Sequence, residues 1–565
     1  MDHDYHDYIV VGAGAAGCVV AARLSERRDC RVLLVEAGAD IVPEPASIRS
    51  PYPVSHAVSA YRWPGLAARI KAPRPGQPAP PPAPYLQPRI MGGGGSLMGM
   101  FAFRGLPADY DEWEGAGAAG WGWDGVLPAF RRIERDLDFG GPLHGQAGPV
   151  PVRRHRREQW SPFSQAVGRA FEEDGYSFVA DANGDFADGH LAVPASNLPD
   201  RRVSSAAMLD EAARARPNLT ILADSEVQRL LVSERRIVGV ALMRRGEPAE
   251  LRARRVVLCA GAIGTPQLLL RSGIGPASDL AGAGITPVHN LEGVGRNLAN
   301  HPAIYLSALV PRGARQRRGA LFHNGLRYSS RLPGCPAHDM FMPVINRTAW
   351  HALGDRVTAL GACVYKPFSR GRIGLSRVGG RLVADIDLAL FADGRDLDRM
   401  IEGTRRIFRY LTRASELVTG LVVFAPTNAR LTARLAEPKA INAIVARVAG
   451  AALDGPAFLR RRALRNAGID PAPLFDDEAG LADFVYRYAA PMYHPAGSCR
   501  LGADGDPAAV VDPRCRVIGL DGLSIADASI MPALVRGNTN LPTMMIGEKA
   551  AAMLREDDAQ SGARS

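Results

Sequence analysis

The sequence predicts an α/β protein, with a Rossmann-like nucleotide-binding unit at its start and an antiparallel sheet later in the chain. Three observations carry that prediction. A strand-like run at Tyr8–Val11 leads into Gly12-x-Gly14-x-x-Gly17, a helical pattern and a second strand ending on Glu36. Residues 371–391, GRIGLSRVGGRLVADIDLALF, alternate as antiparallel strands do. Residues 395–414 place Leu397, Met400, Ile401, Ile407, Phe408 and Leu411 largely on one side of a helix, which could back the sheet forming the floor of a pocket.

The N-terminal unit has the spacing that binding a dinucleotide requires. Gly12 makes the turn, Gly14 lets backbone approach a pyrophosphate, and Gly17 lets helix and strand touch. A helical pattern through Val20 and Leu24 follows, so the helix N-terminus, near Ala15 and Ala16, faces the phosphates. Glu36, followed by Ala37, stands nineteen residues after Gly17 and is placed to accept from a ribose hydroxyl. An acid there selects a free 2′-hydroxyl, hence FAD or NAD rather than NADP.

Beyond Glu36 the chain does not continue a contiguous nicotinamide-binding fold. Residues 41–88 are irregular, and 73–88 hold eight prolines. Such a segment is expected to supply no sheet strands and to form an ordered loop or lid. Next comes RIMGGGGSLMGMFAFRG, residues 89–105, with four consecutive glycines at 92–95. A glycine run is either a linker or a place where backbone lies against a ligand. The apolar residues on both sides favour the ligand.

Composition narrows the class of function. Of 565 residues, 47% are apolar and 22% charged, values of a soluble globular protein large enough for two or more domains. No apolar stretch of about 18 residues suggests a membrane span. The opening MDHDYHDYIVVGAG has neither the basic stretch nor the cleavage site of a secretion signal. Seven cysteines without a CxxC pair read as reduced thiols of a cytoplasmic protein, with no metal site. The net charge of +10 comes almost wholly from arginine, since only four lysines are present. No recognition motif accompanies it, so nucleic acid is not an expected partner. The cluster RRHRRE at 153–158 reads as a solvated loop, with an acidic partner as the other reading.

Further along, the chain resembles the glucose–methanol–choline (GMC) family of FAD-dependent alcohol oxidoreductases. The motifs are GAIGTPQLLLRSGIG at 261–275, GVGRNLANHP at 293–302, GLSIADASIMP at 522–532 and RGNTNLPTMMIGEKAA at 536–551. The likeness runs from Asp7 to Leu554. Residues 104–136 and 142–152 look especially similar to bacterial members acting on 5-hydroxymethylfurfural and aryl alcohols, with choline-dehydrogenase-like members also alike. Three positions depart from the family pattern: Pro88 precedes Arg89, Met98 stands where Asn or His is usual, and Asn300 replaces an Asp.

The resemblance implies a Rossmann-like FAD-binding domain interleaved with an α+β substrate domain built on an antiparallel sheet. The FAD domain takes 1–150, 200–305 and 495–565, including the loop 41–88; the substrate domain takes 151–199 and 306–494. It implies FAD contacts from Arg89, Gly93, Gly94 and Ser96, from the Val227 backbone, from Ala260 and Gly261, and from Asp527 and Ala528. Plain readings stand beside these: Asp527 as an exposed turn acid, Val227 as a strand residue. Asn540, Pro542 and Thr543 open the last helix, whose N–H groups would face the flavin.

The resemblance also gives His494, in MYHPAGSCRLG, and Asn538 their roles. A lone histidine is ordinarily a satisfied core residue, and Asn538 could be only a helix cap. In the family, these positions face the flavin. A neutral imidazole, with an ordinary pKa near 6.5, can take the proton of an alcohol as its C–H bond breaks. The Asn538 amide would hold the substrate oxygen. The expected reaction is oxidation of an alcohol to a carbonyl with hydride transfer to flavin N5, using oxygen or another acceptor. The alternative is a flavin-containing lyase or decarboxylase on the same fold.

Overall fold

The computed structural model describes residues 5–316 and 321–562. Tyr5–Val11 is the centre of the first sheet, with Tyr8, Ile9 and Val10 fully buried as their β-branched and aromatic character favours. It pairs in parallel with Val32–Val35 on one side and with Glu247–Leu258 on the other. Leu219–Leu222 extends the parallel portion beyond Val32–Val35. The long strand Glu247–Leu258 serves two purposes. Its first half joins Arg236–Arg244 and Ser225–Ser233 as an antiparallel meander, and its last residues also pair in parallel with Leu523–Ile525. Segments hundreds of residues apart therefore meet in one sheet.

The helices Ala15–Leu24 and Asn540–Gly562 pack against each other beside this sheet. Close approach needs glycine. A Cβ on Gly17 would lie 1.8 Å from the Gly12 carbonyl oxygen, and one on Gly547 would lie 2.8 Å from that of Ala16. Glu548 pins the last helix by accepting from Arg23 Nε at 2.8 Å and Arg132 Nε at 2.9 Å.

The second large sheet is mostly antiparallel. In order it holds Gly468–Ile469, Val422–Pro426, Pro302–Leu309, Val357–Val364, Met340–Ile345, Phe322–Tyr328, Gly189–Ala192 and Phe178–Val179. Ala490–Pro491 pairs with the start of Pro302–Leu309. The helix Gly394–Leu417 covers it, burying Met400, Ile407, Tyr410 and Leu411, with Leu397, Ile401 and Phe408 partly buried against the same core. Each such aliphatic side chain contributes about 1.5–3 kcal/mol, so Leu411→Ala alone is expected to cost about 2–5 kcal/mol.

Arg372–Val378 and Arg381–Leu390 form an antiparallel hairpin, and the helix after them backs the large sheet rather than theirs. One expectation is corrected. The hairpin joins Ala67–Lys71 and Ala83–Pro84 in a separate four-stranded sheet, so the proline-rich region does supply strands. Ala67–Lys71 contains no proline, and Pro84 lies on the outermost strand, where a missing N–H is tolerated.

Candidate functional site

A cleft of about 610 Å³ runs between the first sheet and the small four-stranded one, within the size range of small-molecule sites. One end is formed by the first glycine turn. Gly12 has φ +97, and its Cβ would stand 2.6 Å from the Cys259 carbonyl oxygen, so only glycine fits where the two strand ends meet. A Cβ on Gly14 would meet nothing within 4 Å, because that side is the open cleft. No side chain caps the helix that begins at Ala15, so its first N–H groups remain available to an anion. Gly93, at φ +52, brings the second glycine run against the first, its Cβ 2.9 Å from Gly14 Cα.

Glu36 lines the same end. Its Oε2 accepts from Ala13 N–H at 2.8 Å and its Oε1 from Gly38 N–H at 2.7 Å, fixing the carboxylate while leaving lone pairs on both oxygens. Burial raises its pKa above the usual carboxylate range. Asp527 is spent on the protein itself. Its Oδ2 accepts from Gly261 N–H at 2.8 Å and Thr265 Oγ1 at 2.6 Å, and its Oδ1 from Ser529 N–H at 2.8 Å. It is a fully engaged buttress of the Ala260–Gly261 turn, not an exposed turn acid.

Most residues singled out from the sequence reach the cleft. Gly12, Gly14, Ala15, Ala16, Glu36 and Ala37 line one end of it. Gly93, Gly94, Val227, Ala260 and Gly261 line its middle, with Asp527 and Ala528 beside them. His494, Asn538, Asn540 and Thr543 lie at the far end. Four do not line it. Gly17 is the helix-to-strand contact, as its spacing implies. The Arg89 guanidinium lies over the Trp63 ring at 5.1 Å and 4.0 Å from Glu226. Ser96 is buried and donates to the Met91 carbonyl at 2.8 Å. Pro542 sits inside the first turn of Asn540–Gly562.

The far end is a chain of four polar side chains. Tyr365 donates to Asn538 Oδ1 at 3.0 Å, which turns the amide nitrogen toward His494. Asn538 Nδ2 is 3.0 Å from His494 Nε2, and His494 Nδ1 is 2.9 Å from His301 Nδ1. With the phenol as donor at one end, the lone pair of His494 faces the amide at Nε2 and its N–H lies at Nδ1. Asn300 holds the backbone by accepting from His494 N–H at 3.1 Å. Burial lowers the His494 pKa to about 4, and burial with the neighbouring His494 drives His301 well below its ordinary value. Both rings are neutral at pH 7. His494 keeps one edge on the cleft, whereas His301 is fully enclosed.

His301, Tyr365 and Asn300 were not assigned from the sequence. His301 and Asn300 lie in the GVGRNLANHP segment, but no spacing relates them to His494. Phe101 also borders the cleft, stacked on Phe322 with centroids 3.8 Å apart and edge-on to Phe341. Trp63 and Leu382 to Ala384 add to the lining from the small four-stranded sheet and its approach.

The residues present fit an FAD: glycines leave open space where a Cβ would intrude, the uncapped helix start at Ala15 faces the cleft, and a fixed acid closes one end. Comparison with known proteins agrees. The N-terminal GMC oxidoreductase model matches residues 6–303, and the C-terminal one matches 367–547. A 5-(hydroxymethyl)furfural oxidase of Methylovorus sp. (strain MP688) is 38% identical, covering 98% of this chain and 99% of its own. An alcohol dehydrogenase [acceptor] of Pseudomonas putida is 32% identical over 97% and 95%. Among solved structures, pyridoxine 4-oxidase from Mesorbium loti superposes with a TM-score of 0.76 at 29% identity, covering 98% and 99%.

Proposed function

The chain belongs to the GMC oxidoreductase family, and from that premise we propose that it oxidises a primary alcohol carried on an aromatic or furan ring. It is an FAD-dependent oxidoreductase acting on CH–OH groups. The observation that carries the catalytic assignment is the pairing of His494 Nε2 with Asn538 Nδ2 on the cleft wall. The aromatic wall at Phe101, and the name of the 38% identical relative, support the ring-bearing substrate.

His494 is the base. Being neutral, it accepts the hydroxyl proton at Nε2 once the substrate hydroxyl takes the place the Asn538 amide holds against that lone pair, as the alcohol loses hydride. His301, also neutral, receives the Nδ1–H and steadies the imidazolium that forms; a cationic neighbour would oppose it. The Asn538 amide, fixed by the Tyr365 hydroxyl, positions the substrate oxygen. FAD, when bound, supplies the hydride acceptor. Gly12 to Ala16, Glu36, Ala37, Gly93, Gly94, Ala260 and Gly261 would hold its nucleotide and pyrophosphate, with Val227 at the adenine. Ala528, Asn540 and Thr543 would hold its ring end. Asp527 keeps the Gly261 turn in place. All seven cysteines are free, which supports a cytoplasmic setting.

The test is an anaerobic screen of aryl, furan, aliphatic, sugar and amino alcohols, read as loss of the visible flavin band. Fastest bleaching by ring-bearing alcohols is expected; bleaching confined to aliphatic or amino alcohols would reject the substrate class. An oxygen-electrode trace with the best alcohol separates oxygen from another acceptor.

A further inference from the structure

Three helices, Ala429–Ala436, Ala440–Asp454 and Ala457–Ala467, are inserted between the two outermost strands of the large sheet, Val422–Pro426 and Gly468–Ile469. The middle helix is amphipathic in the wrong sense for a protein standing alone. Its inward face buries Asn442, Ala446, Gly450 and Leu453, three of them small or polar. Its outward face carries Ile441, Ile444, Val445 and Val448, which are 60%, 56%, 43% and 69% exposed. Their spacing of i, i+3, i+4, i+7 makes one continuous stripe. The following helix adds Phe458, 65% exposed. Solitary exposed apolar residues are ordinary, but a contiguous group of them marks a docking surface.

Charge identifies what docks. Residues 429–467 hold eight basic side chains and two acidic ones. The acids are already engaged: Glu437 pairs with Lys439 at 2.6 Å, and Asp454 accepts from Arg356 Nη2 at 2.8 Å and also pairs with Arg315. Arg447, Arg461, Arg462 and Arg465 are exposed and form no ion pair among the described residues. An aliphatic stripe flanked by unpaired arginines is the composition of a helix lying in the headgroup layer of a bilayer. A two-fold contact with a second copy would set eight cations against eight. A protein interface would be expected to centre on Trp or Tyr, whereas this stripe is Ile and Val.

We propose that this face docks on an anionic lipid surface, the Ile441–Val448 stripe entering the headgroup region and the surrounding arginines meeting lipid anions. The contact is lateral, since no helix of the described residues is long and apolar enough to cross a membrane.

The full-length holoenzyme, mixed with vesicles of phosphatidylcholine alone or with phosphatidylglycerol, tests this by co-sedimentation. Binding to the anionic vesicles at least about tenfold tighter than to the neutral ones, and released by salt, is expected. The double variant Ile444→Asp/Val448→Asp and the double variant Arg461→Glu/Arg462→Glu should each weaken binding by about tenfold or more. Turnover of a water-soluble alcohol should stay at the wild-type rate in both, which also shows that they fold. No binding to anionic vesicles, equal binding to neutral ones, or unchanged binding by both variants would overturn the proposal. A dimer in sedimentation velocity that Ile444→Asp/Val448→Asp dissociates would overturn it in favour of a second copy.

Discussion

His144 is buried and His494 keeps only one edge on the cleft, yet the protein makes the first a cation and keeps the second neutral. Burial alone would lower the His144 pKa, but hydrogen bonds to Asp136, Asp181 and Glu134 outweigh it and raise the group to about 10. Its Nδ1 lies 3.0 Å from Asp136 and its Nε2 2.8 Å from Asp181. His494 has only an amide and another imidazole for partners, so burial prevails and its pKa falls to about 4. One ring is a permanent cation within a scaffold; the other keeps a lone pair for chemistry. The neighbours' charge decides which.

The His144 cluster also shows why spacing alone is not a metal site. Glu134, Asp136 and His144 bring ligand atoms within 4.8 Å of one another. Two arginines already occupy the position of a cation: Arg104 pairs with Glu134 at 2.5 Å and Arg154 with Asp136 at 2.6 Å.

The largest effect expected from this contrast is on stability. Arg104→Met leaves Glu134 buried beside two other carboxylates and is expected to cost about 3–5 kcal/mol in denaturant unfolding. A cost under about 1 kcal/mol would mean that the cluster does not depend on charge balance. At the other histidine the effect is on rate. His494→Ala should slow anaerobic flavin reduction at least about a hundredfold while barely moving the unfolding midpoint; near-normal reduction in the folded variant would remove the base from the scheme. Tyr365→Phe, which frees the Asn538 amide, should cost about tenfold in reduction, the scale of one hydrogen bond.

The pH responses differ in sign as well. A raised pKa means that the stabilisation from His144 is complete below about 6.5 and is lost as pH climbs through about 10. The gap in melting temperature between wild type and His144→Gln should therefore shrink from pH 6 to pH 10. A lowered pKa means that His494 stays neutral until the pH nears 4, so kcat/KM should show no protonation of the base between pH 8 and pH 5. Folding stability from His494 is complete above about 6.5 and declines as pH falls toward 4. A kinetic pKa near 6.5 in the free enzyme would contradict the assignment. The smallest expected effect is at Met98, on the cleft wall: Met98→Asn should slow flavin loss on dilution, and faster loss would show that the site has packed around the thioether.

The glycine-lined end of the cleft was legible in the sequence because backbone geometry left its mark there. Gly12 and Gly93 stand where two main chains leave no place for a Cβ, Gly14 faces the open cleft, and Glu36 follows the first turn at a fixed distance. His494 and Asn538 were legible through resemblance, since no local spacing joins residues 44 positions apart. His301, Tyr365 and the strand Ala67–Lys71 were not. Their partners lie across different elements, and a strand of five residues that pairs with one more than 300 positions later has no local pattern to announce it. The Arg89 guanidinium lies over Trp63, an orientation fixed by a neighbour that sequence does not display.

The last helix closes the cleft that the first turn opens. Asn538, Asn540 and Thr543 complete its ring end, while Glu548 fastens that helix to Arg23 and Arg132. During synthesis, the finished receptacle therefore cannot exist until translation has passed Glu548. Loading becomes an event of maturation, and a shortened product, however well its leading portion folds, emerges colourless.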